Sequence, residues 1–381
     1  MPYKIALLSK YPPLEGGIAA KTYWLARGLA KRGHSIHVVT HGVSAGQEYQ
    51  IQGAENLPET MPNLSVHRLP DETPWHIPGD KEYALTLLDT TLSVIRKHKI
   101  QILDTGYLVP YGIVGHLAKL ITGVRHIVRH GGSDLEKFLK KRVLGALLDE
   151  AIASADVVIT GKGGEKTLGA IASNLAYQPA YVPDESVFRP HVSQQPRWRL
   201  ATIGKINYHW EYKALNSIVD IMVQLAPQFE CLIVGQGKGL ADFRQSLSPK
   251  ISASLKWTPF VPPWQMPNLL NQLDAIFVFE SKLPHPVESN LVLEAVCSGV
   301  GIITDRPDFA ETYRDLVTLS KNQVIVVSPA EASSSAQRIA QWVQERVRTK
   351  LSSHQLISFQ EYLAATERTY TRVLAGNRDP N

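Results

Sequence analysis

Twice along the chain, short apolar runs of strand length alternate with segments of helical spacing. This repeated switch of period constrains the fold more than any single motif. Lys4-Ile-Ala-Leu-Leu-Ser9 is a continuous apolar run too short for a helix, as expected of a strand buried on both faces of a parallel sheet. Tyr11 to Gly17 is rich in proline and glycine and reads as a loop. Ala19 to Arg32 carries Trp24, Leu25, Leu29 and Ala30 at helical spacing; Gly33 stops it, and Ser35 to Thr40 is the next strand. A strand, loop, helix and strand in this order form a right-handed parallel crossover.

The pattern continues through strands at 64–69, 102–105, 125–130 and 156–160, with helices at 81–97 and 110–122. A long helix is expected from Ser133, where Ser133 and Glu136 match a capping box. Between Tyr181 and Trp198 periodicity stops, and prolines and glutamines mark a linker. A second set follows, with strands at 200–204, 231–234, 255–260, 275–279, 301–304 and 324–327. Its helices are expected at 213–225, 240–246, 267–273, 290–298 and 332–346, and a last one at 353–374. The expected fold class is α/β, with two doubly wound Rossmann-like domains facing a cleft. The first covers residues 1–190, the second 191–352, and a terminal helical segment 353–381. In such sheets ligands bind beyond the carboxyl ends of the strands.

Composition narrows the function. With 381 residues, 44% hydrophobic and 20% charged, there is material for more than one globular core. The net charge of +5 suits anionic small molecules or an anionic membrane surface and falls short of a dedicated nucleic-acid binder. Cys231 and Cys297 both sit in apolar runs and read as reduced core thiols. The least polar long stretch, Tyr107 to Val124, contains Pro110, His116 and Lys119 and reads as a buried helix. The first residues lack a signal-peptide pattern, so a cytoplasmic protein is expected, with peripheral contact to the inner face of the membrane as a further option.

Several motifs each fit two readings. Gly16-Gly17 is either a tight turn or a backbone approach to an anion at a helix start. Gly204-Lys205 with Lys213 is either a pair of surface lysines or two ammonium groups on a diphosphate. Glu288, Asn290 and Glu294 mark a helix start whose acids stabilise the helix or read a ligand's hydroxyls. Gly235-Gln-Gly237 half-resembles a dinucleotide loop, and Gly161 to Thr167 lacks the glycines of a phosphate loop. His130 ends a strand before two glycines and is either structural or a cleft hydrogen-bonder. Asp134 reads as a helix-start acid. Lys137, Lys140, Lys141 and Arg142 form a basic stripe, either solvated or facing anionic lipid. No metal-ligand spacing appears, and the 13 histidines are scattered. Nucleophile patterns are absent too.

Taken in order, Gly16-Gly17, His130-Gly131, Gly204-Lys205 with Lys213, Val234-Gly235-Gln236-Gly237, and Glu294 with Ser298-Gly299 resemble the retaining glycosyltransferases of family 4, which have the GT-B fold. The resemblance covers nearly the whole chain. It implies a metal-independent enzyme that moves a sugar from a nucleotide-diphosphate donor to a sugar, polysaccharide or lipid-linked acceptor. It implies no cofactor beyond that donor substrate. Lys205 and Lys213 would clamp the diphosphate, Glu294 would bind the ribose diol, and Asn290, Leu291 and Val292 would form the helix start beside the donor. Gly16, Gly17, Gly204 and Gly235 would border it, and His130 would lie near the transferred sugar. The terminal helix would cross back to the first domain. The family's first glutamate falls on Pro286, with Glu288 two residues on as its replacement, and the glycine usual after the second lysine is Ala214. A nucleotide-sugar epimerase of the same fold and a non-catalytic sugar-nucleotide binder are the competing readings.

Overall fold

A computed structural model describes residues 2–43, 49–51, 61–71, 73, 80–140, 142, 144–190, 198–207, 210–282, 288–317, 319, 322–345 and 356–376. Two parallel sheets form among the described residues. The first contains β1 (Lys4–Leu8), β2 (Ser35–Thr40), β3 (Leu64–Arg68), β4 (Ile102–Thr105), β5 (Arg125–Arg129), β6 (Val157–Thr160) and β7 (Leu175–Tyr177), ordered 3-2-1-4-5-6-7. The second contains β8 (Arg199–Lys205), β9 (Glu230–Gln236), β10 (Lys256–Thr258), β11 (Ala275–Val278), β12 (Gly301–Thr304) and β13 (Val324–Val326), ordered 10-9-8-11-12-13. In both, the order reverses beside the first strand of the sheet, which is where a doubly wound sheet opens a crevice. The Gly16-Gly17 loop follows β1, and Lys205 ends β8.

The central strands are apolar on both faces because helices cover both. Leu7, Ile36, Ile102 and Ile127 are buried in one core layer, and Leu8, Val39, Leu103 and Val128 in another. Some local expectations differ. The stretch after Ser133 is not one helix: a widened turn at Leu135–Lys140 precedes a helix at Gly145–Ala153. Arg142 and Leu144 between them take left-handed backbone angles. The Ser133 hydroxyl lies 3.2 Å from that of Tyr107, and Glu136 pairs with Lys140. Asp134, fully buried, instead accepts from the backbone N–H groups of Leu108, Gly131 and Leu135, so the carboxylate acts as a loop anchor. The rejected phosphate-loop stretch itself forms a short helix, Lys162–Leu168, rather than only a turn.

Aromatic packing continues from the first half to the second. Trp24 meets Phe188 edge-on at 5.4 Å, and Tyr23 lies 5.4 Å from Trp264 of the second half. The expected linker begins with ordered residues to Pro190, and its remainder to 197 lies outside the described residues. The last helix, Phe359–Ala375, starts later than expected, and 353–355 lie outside the described residues. Its cap is a full capping box of Ser358 and Glu361. The helix returns to the first sheet. Leu363 and Phe359 occupy the space above Gly28, where an added Cβ would sit 2.9 Å from both. The Tyr370 hydroxyl donates to Asp104 at 2.7 Å, and Asp104 also pairs with Arg129. Glu367 holds Arg32 and His34. Both cysteines are buried and unbridged.

Candidate active site

Between the two sheets lies a cleft of about 420 Å³. Its first-domain wall is the loop and helix start at Gly16, Gly17 and Lys21; its second-domain wall carries Lys205, Lys213, Glu280, Asn290 and Glu294. Gly16 has φ of +113°, a conformation open to glycine, and an added Cβ there would sit 3.1 Å from the Lys205 ammonium. The two domains touch directly here. The Asn290 side-chain N–H donates to the Gly17 carbonyl at 2.9 Å, and Lys205 pairs with the buried Glu15 at 3.1 Å.

Lys205 and Lys213 are brought together by the end of β8. The Lys213 ammonium donates to the Lys205 carbonyl at 3.2 Å, and a Cβ on Gly204 would lie 3.1 Å from that ammonium. Ala214, which follows, has φ of 47°. That is the left-handed region glycine enters without strain, and it explains why the resembling family places glycine there. Burial first, and the neighbouring Lys205 charge second, hold Lys213 below the usual lysine range, with Glu280 and Glu15 opposing.

The acids facing them are poised in the opposite sense. Burial pushes Glu280 up to about 7, against the pull of Arg306 and Lys213. Glu294 is pushed up to about 8 by burial, opposed by the Tyr181 hydroxyl, which donates to its Oε1 at 2.8 Å. The helix Asn290–Cys297 starts at the cleft with no side-chain cap, while Tyr313 accepts from the Ser289 N–H at 3.0 Å. A helix start carries N–H groups without intrahelical partners and the positive end of a dipole, which together favour an anion.

Most of the expected site residues therefore meet. Gly16, Gly17, Gly204, Lys205, Lys213, Glu288, Asn290, Leu291 and Glu294 all line the cleft. Pro286 lies outside the described residues. Three residues stand elsewhere. Val292 is fully buried one position past the exposed face of its helix. Gly235 lies inside β9 opposite Gly204, where a Cβ would strike the Gly204 carbonyl oxygen at 2.6 Å. It packs closely against β8 beneath Lys205 and does not line the cleft. His130 lines a smaller cavity of about 50 Å³ that adjoins the cleft through Ile18 and Lys21. Both its ring nitrogens are engaged: Nδ1 accepts from the Gly132 N–H at 3.2 Å, and Nε2 lies 2.8 Å from the Thr160 hydroxyl. Burial, with the Lys21 charge, lowers it to about 4, so the ring is neutral.

Sequence reasoning missed Lys10, Glu15, Lys21 and Glu280. Lys10 is lowered to about 7 and Lys21 to about 8, in both cases mainly by burial. No motif marks them: Lys10, Glu15 and Glu280 lie in loops that follow strands and Lys21 lies in the second turn of a helix, where a charged residue carries no distinct sequence signal.

Residues 16–166 match the family model described as glycosyl transferase 4-like domain, and residues 184–357 match glycosyl transferases group 1. Over 238 residues the chain is 26% identical to N-acetyl-alpha-D-glucosaminyl L-malate synthase of Bacillus anthracis, a match spanning 59% of this chain and 60% of that relative. Among solved structures, Anabaena HepE in complex with UDP and glucose superposes with a TM-score of 0.67 at 16% identity, covering 98% of this chain and all of that one. A glycosyltransferase from Rickettsia africae superposes with a TM-score of 0.67 at 14% identity, covering 99% of this chain and all of that one. At these identities the structures establish the two-domain GT-B fold.

Proposed function

The chain belongs to the group 1 glycosyltransferases, and we propose that it moves a sugar from a nucleotide-diphosphate donor, with retention and without a metal ion, to a carbohydrate or lipid-linked acceptor. One observation carries this reading: across the interdomain cleft, Lys205, Lys213 and an uncapped helix start on the second-domain wall face the Gly16-Gly17 backbone on the first-domain wall. In the reaction, the bond from the sugar C1 to the diphosphate oxygen breaks and its electron pair leaves on the diphosphate. The two ammonium groups stabilise that developing charge, the task a metal would otherwise perform. The acceptor hydroxyl attacks C1 on the same face, and its proton passes to the departing phosphate oxygen.

Glu294 binds the ribose diol, and Glu288 replaces the acid at Pro286 in reading the donor sugar. The acceptor lies against the first domain, near Lys21. His130, held by Thr160 and Gly132, lies in the side cavity that adjoins the cleft, near the transferred sugar. The basic stripe of Lys137, Lys140 and Arg142, with Lys141 outside the described residues, is the face for contact with anionic lipid; none of the described helices is long and apolar enough to cross a membrane.

The test is calorimetric titration with UDP, GDP and ADP in the presence of EDTA. Saturable binding of one nucleotide supports the metal-free donor site and names its base. Binding of none, in a folded protein, contradicts it and favours a chain that has lost donor recognition. Release of free sugar or of transferred product from the matching donor, with the anomeric configuration read by NMR, then decides retention.

A further inference from the structure

We propose that the outer edge of the first sheet holds a divalent transition metal of the zinc class, bound by His37, His67 and His98. The three residues are about thirty positions apart, one on each of β2, β3 and the end of the helix Lys81–His98, so no spacing motif announces them. Their ligand nitrogens all lie within 4.8 Å of one another. His37 Nδ1 and His67 Nε2 are already 2.9 Å apart. Two imidazoles on a tetrahedral zinc, with bonds of about 2.0–2.1 Å, place their nitrogens about 3.3 Å apart. The pair needs to open only slightly to admit the ion between them.

The backbone supports this geometry. β2 and β3 are hydrogen-bonded in register, with Val39 opposite His67, and His98 sits at the helix C-terminus, where the dipole favours a cation. His37 is buried, and its other nitrogen, Nε2, lies 3.2 Å from the Ser35 hydroxyl. With a metal on Nδ1, Nε2 carries the proton and donates to Ser35, the outer hydrogen bond that orients metal-binding histidines. His67 and His98 are only half-buried, which leaves a solvent-facing position for a fourth ligand. Lys4 and Lys97 act against bound positive charge from the surrounding elements. None of these histidines lines the donor cleft. The metal would thus clamp two strands and a helix end, and the proposal stands independently of the transfer reaction.

The experiment uses the full chain without a histidine tag, stripped by a chelator that is then removed. Zinc is titrated by calorimetry, and cobalt is followed by its visible absorption, which is intense for tetrahedral sites. One equivalent of zinc and a tetrahedral cobalt spectrum are expected. His67→Ala and His98→Ala should each abolish the spectrum, and Ser35→Ala should weaken zinc by roughly 10–100-fold. Circular dichroism and nucleotide binding in the metal-free state establish that each variant is folded. Absence of saturable binding to the wild-type chain overturns the site, as does binding that survives in a variant lacking both His67 and His98. If the single variants misfold, zinc protection of the three wild-type imidazoles from diethyl pyrocarbonate decides instead: unprotected rings overturn it.

Discussion

If Glu294 reads the ribose diol, replacing it should erase the protein's ability to tell a ribonucleotide from its 2′-deoxy counterpart. The structure sets the magnitude. Glu294 is 4% exposed, so water cannot replace a lost ligand contact. Tyr181 already occupies Oε1 at 2.8 Å, leaving Oε2 as the oxygen for the ribose. Because burial raises Glu294 to about 8, the measurement is made near pH 9, where the side chain is a carboxylate; a hydrogen bond to a charged group contributes about 1.5–3 kcal/mol, and each 1.4 kcal/mol is about tenfold. Removing the 2′-hydroxyl should therefore weaken binding to the wild-type chain by about 10–150-fold. In Glu294→Ala both nucleotides should bind with the same low affinity. The assay is parallel calorimetry of whichever nucleoside diphosphate binds and of its 2′-deoxy form, against both chains. Equal 2′-deoxy penalties in the two chains would refute the assignment, because the carboxylate could not then be the group that senses the hydroxyl.

Other perturbations test the surroundings. Lys205→Met should lower turnover of the cognate donor by about 100–1000-fold, the usual effect of removing one transition-state donor, with partial rescue by Lys205→Arg; unchanged turnover contradicts the clamp. Gly235→Ala forces a Cβ to 2.6 Å from the Gly204 carbonyl and should cost about 1–3 kcal/mol in denaturant unfolding, with weaker donor binding through the displaced Lys205. Leu363→Ala, in the returning helix, should cost about 2–5 kcal/mol, measured in the same way. Glu294 titrates at about 8 in the fold against 4.5 as its ordinary value. The folded chain therefore holds its proton over that window, and this carboxyl's contribution to stability is lost as pH rises through about 8. Buried histidines shift the opposite way, His130 to about 4 and His126 to about 3, so the readable quantity is a difference. The melting temperature of Glu294→Gln relative to wild type should rise from pH 5 to pH 9; a flat difference contradicts the shift.

The sheets were legible because parallel strands covered on both faces are continuous apolar runs, as at Ile5–Leu8 and Ala275–Val278. β7 was missed because it is three residues long and only half-buried at the sheet edge, where hydrophobic pattern is weak. The helix expected from Ser133 failed because capping residues do not by themselves make a helix. Asp134 ties the N–H groups of Leu108, Gly131 and Leu135 into a loop, and Arg142 and Leu144 adopt angles that no propensity would assign to them. At the site, the paired lysines and Glu294 were legible through their ordered motifs. Gly235 was ambiguous because a glycine that permits close strand contact looks identical in sequence to one that permits ligand contact. Lys21, Glu15 and the three clustered histidines stayed hidden because they meet only through tertiary packing, each without a local partner in the chain.

The returning helix also orders events in time. Phe359, Leu363 and Tyr370 complete the core beside Gly28 and Asp104, yet they are synthesised after the entire second domain. On the ribosome, the first domain would wait with that groove uncovered and the Asp104–Arg129 pair lacking its tyrosine. The second domain can close its own core meanwhile, because its strands and helices are contiguous in sequence. The first domain to be made is thus the last to be finished. A chain interrupted anywhere before residue 359 presents an apolar groove to the cell's chaperones and proteases, which couples quality control of the first domain to completion of the whole polypeptide.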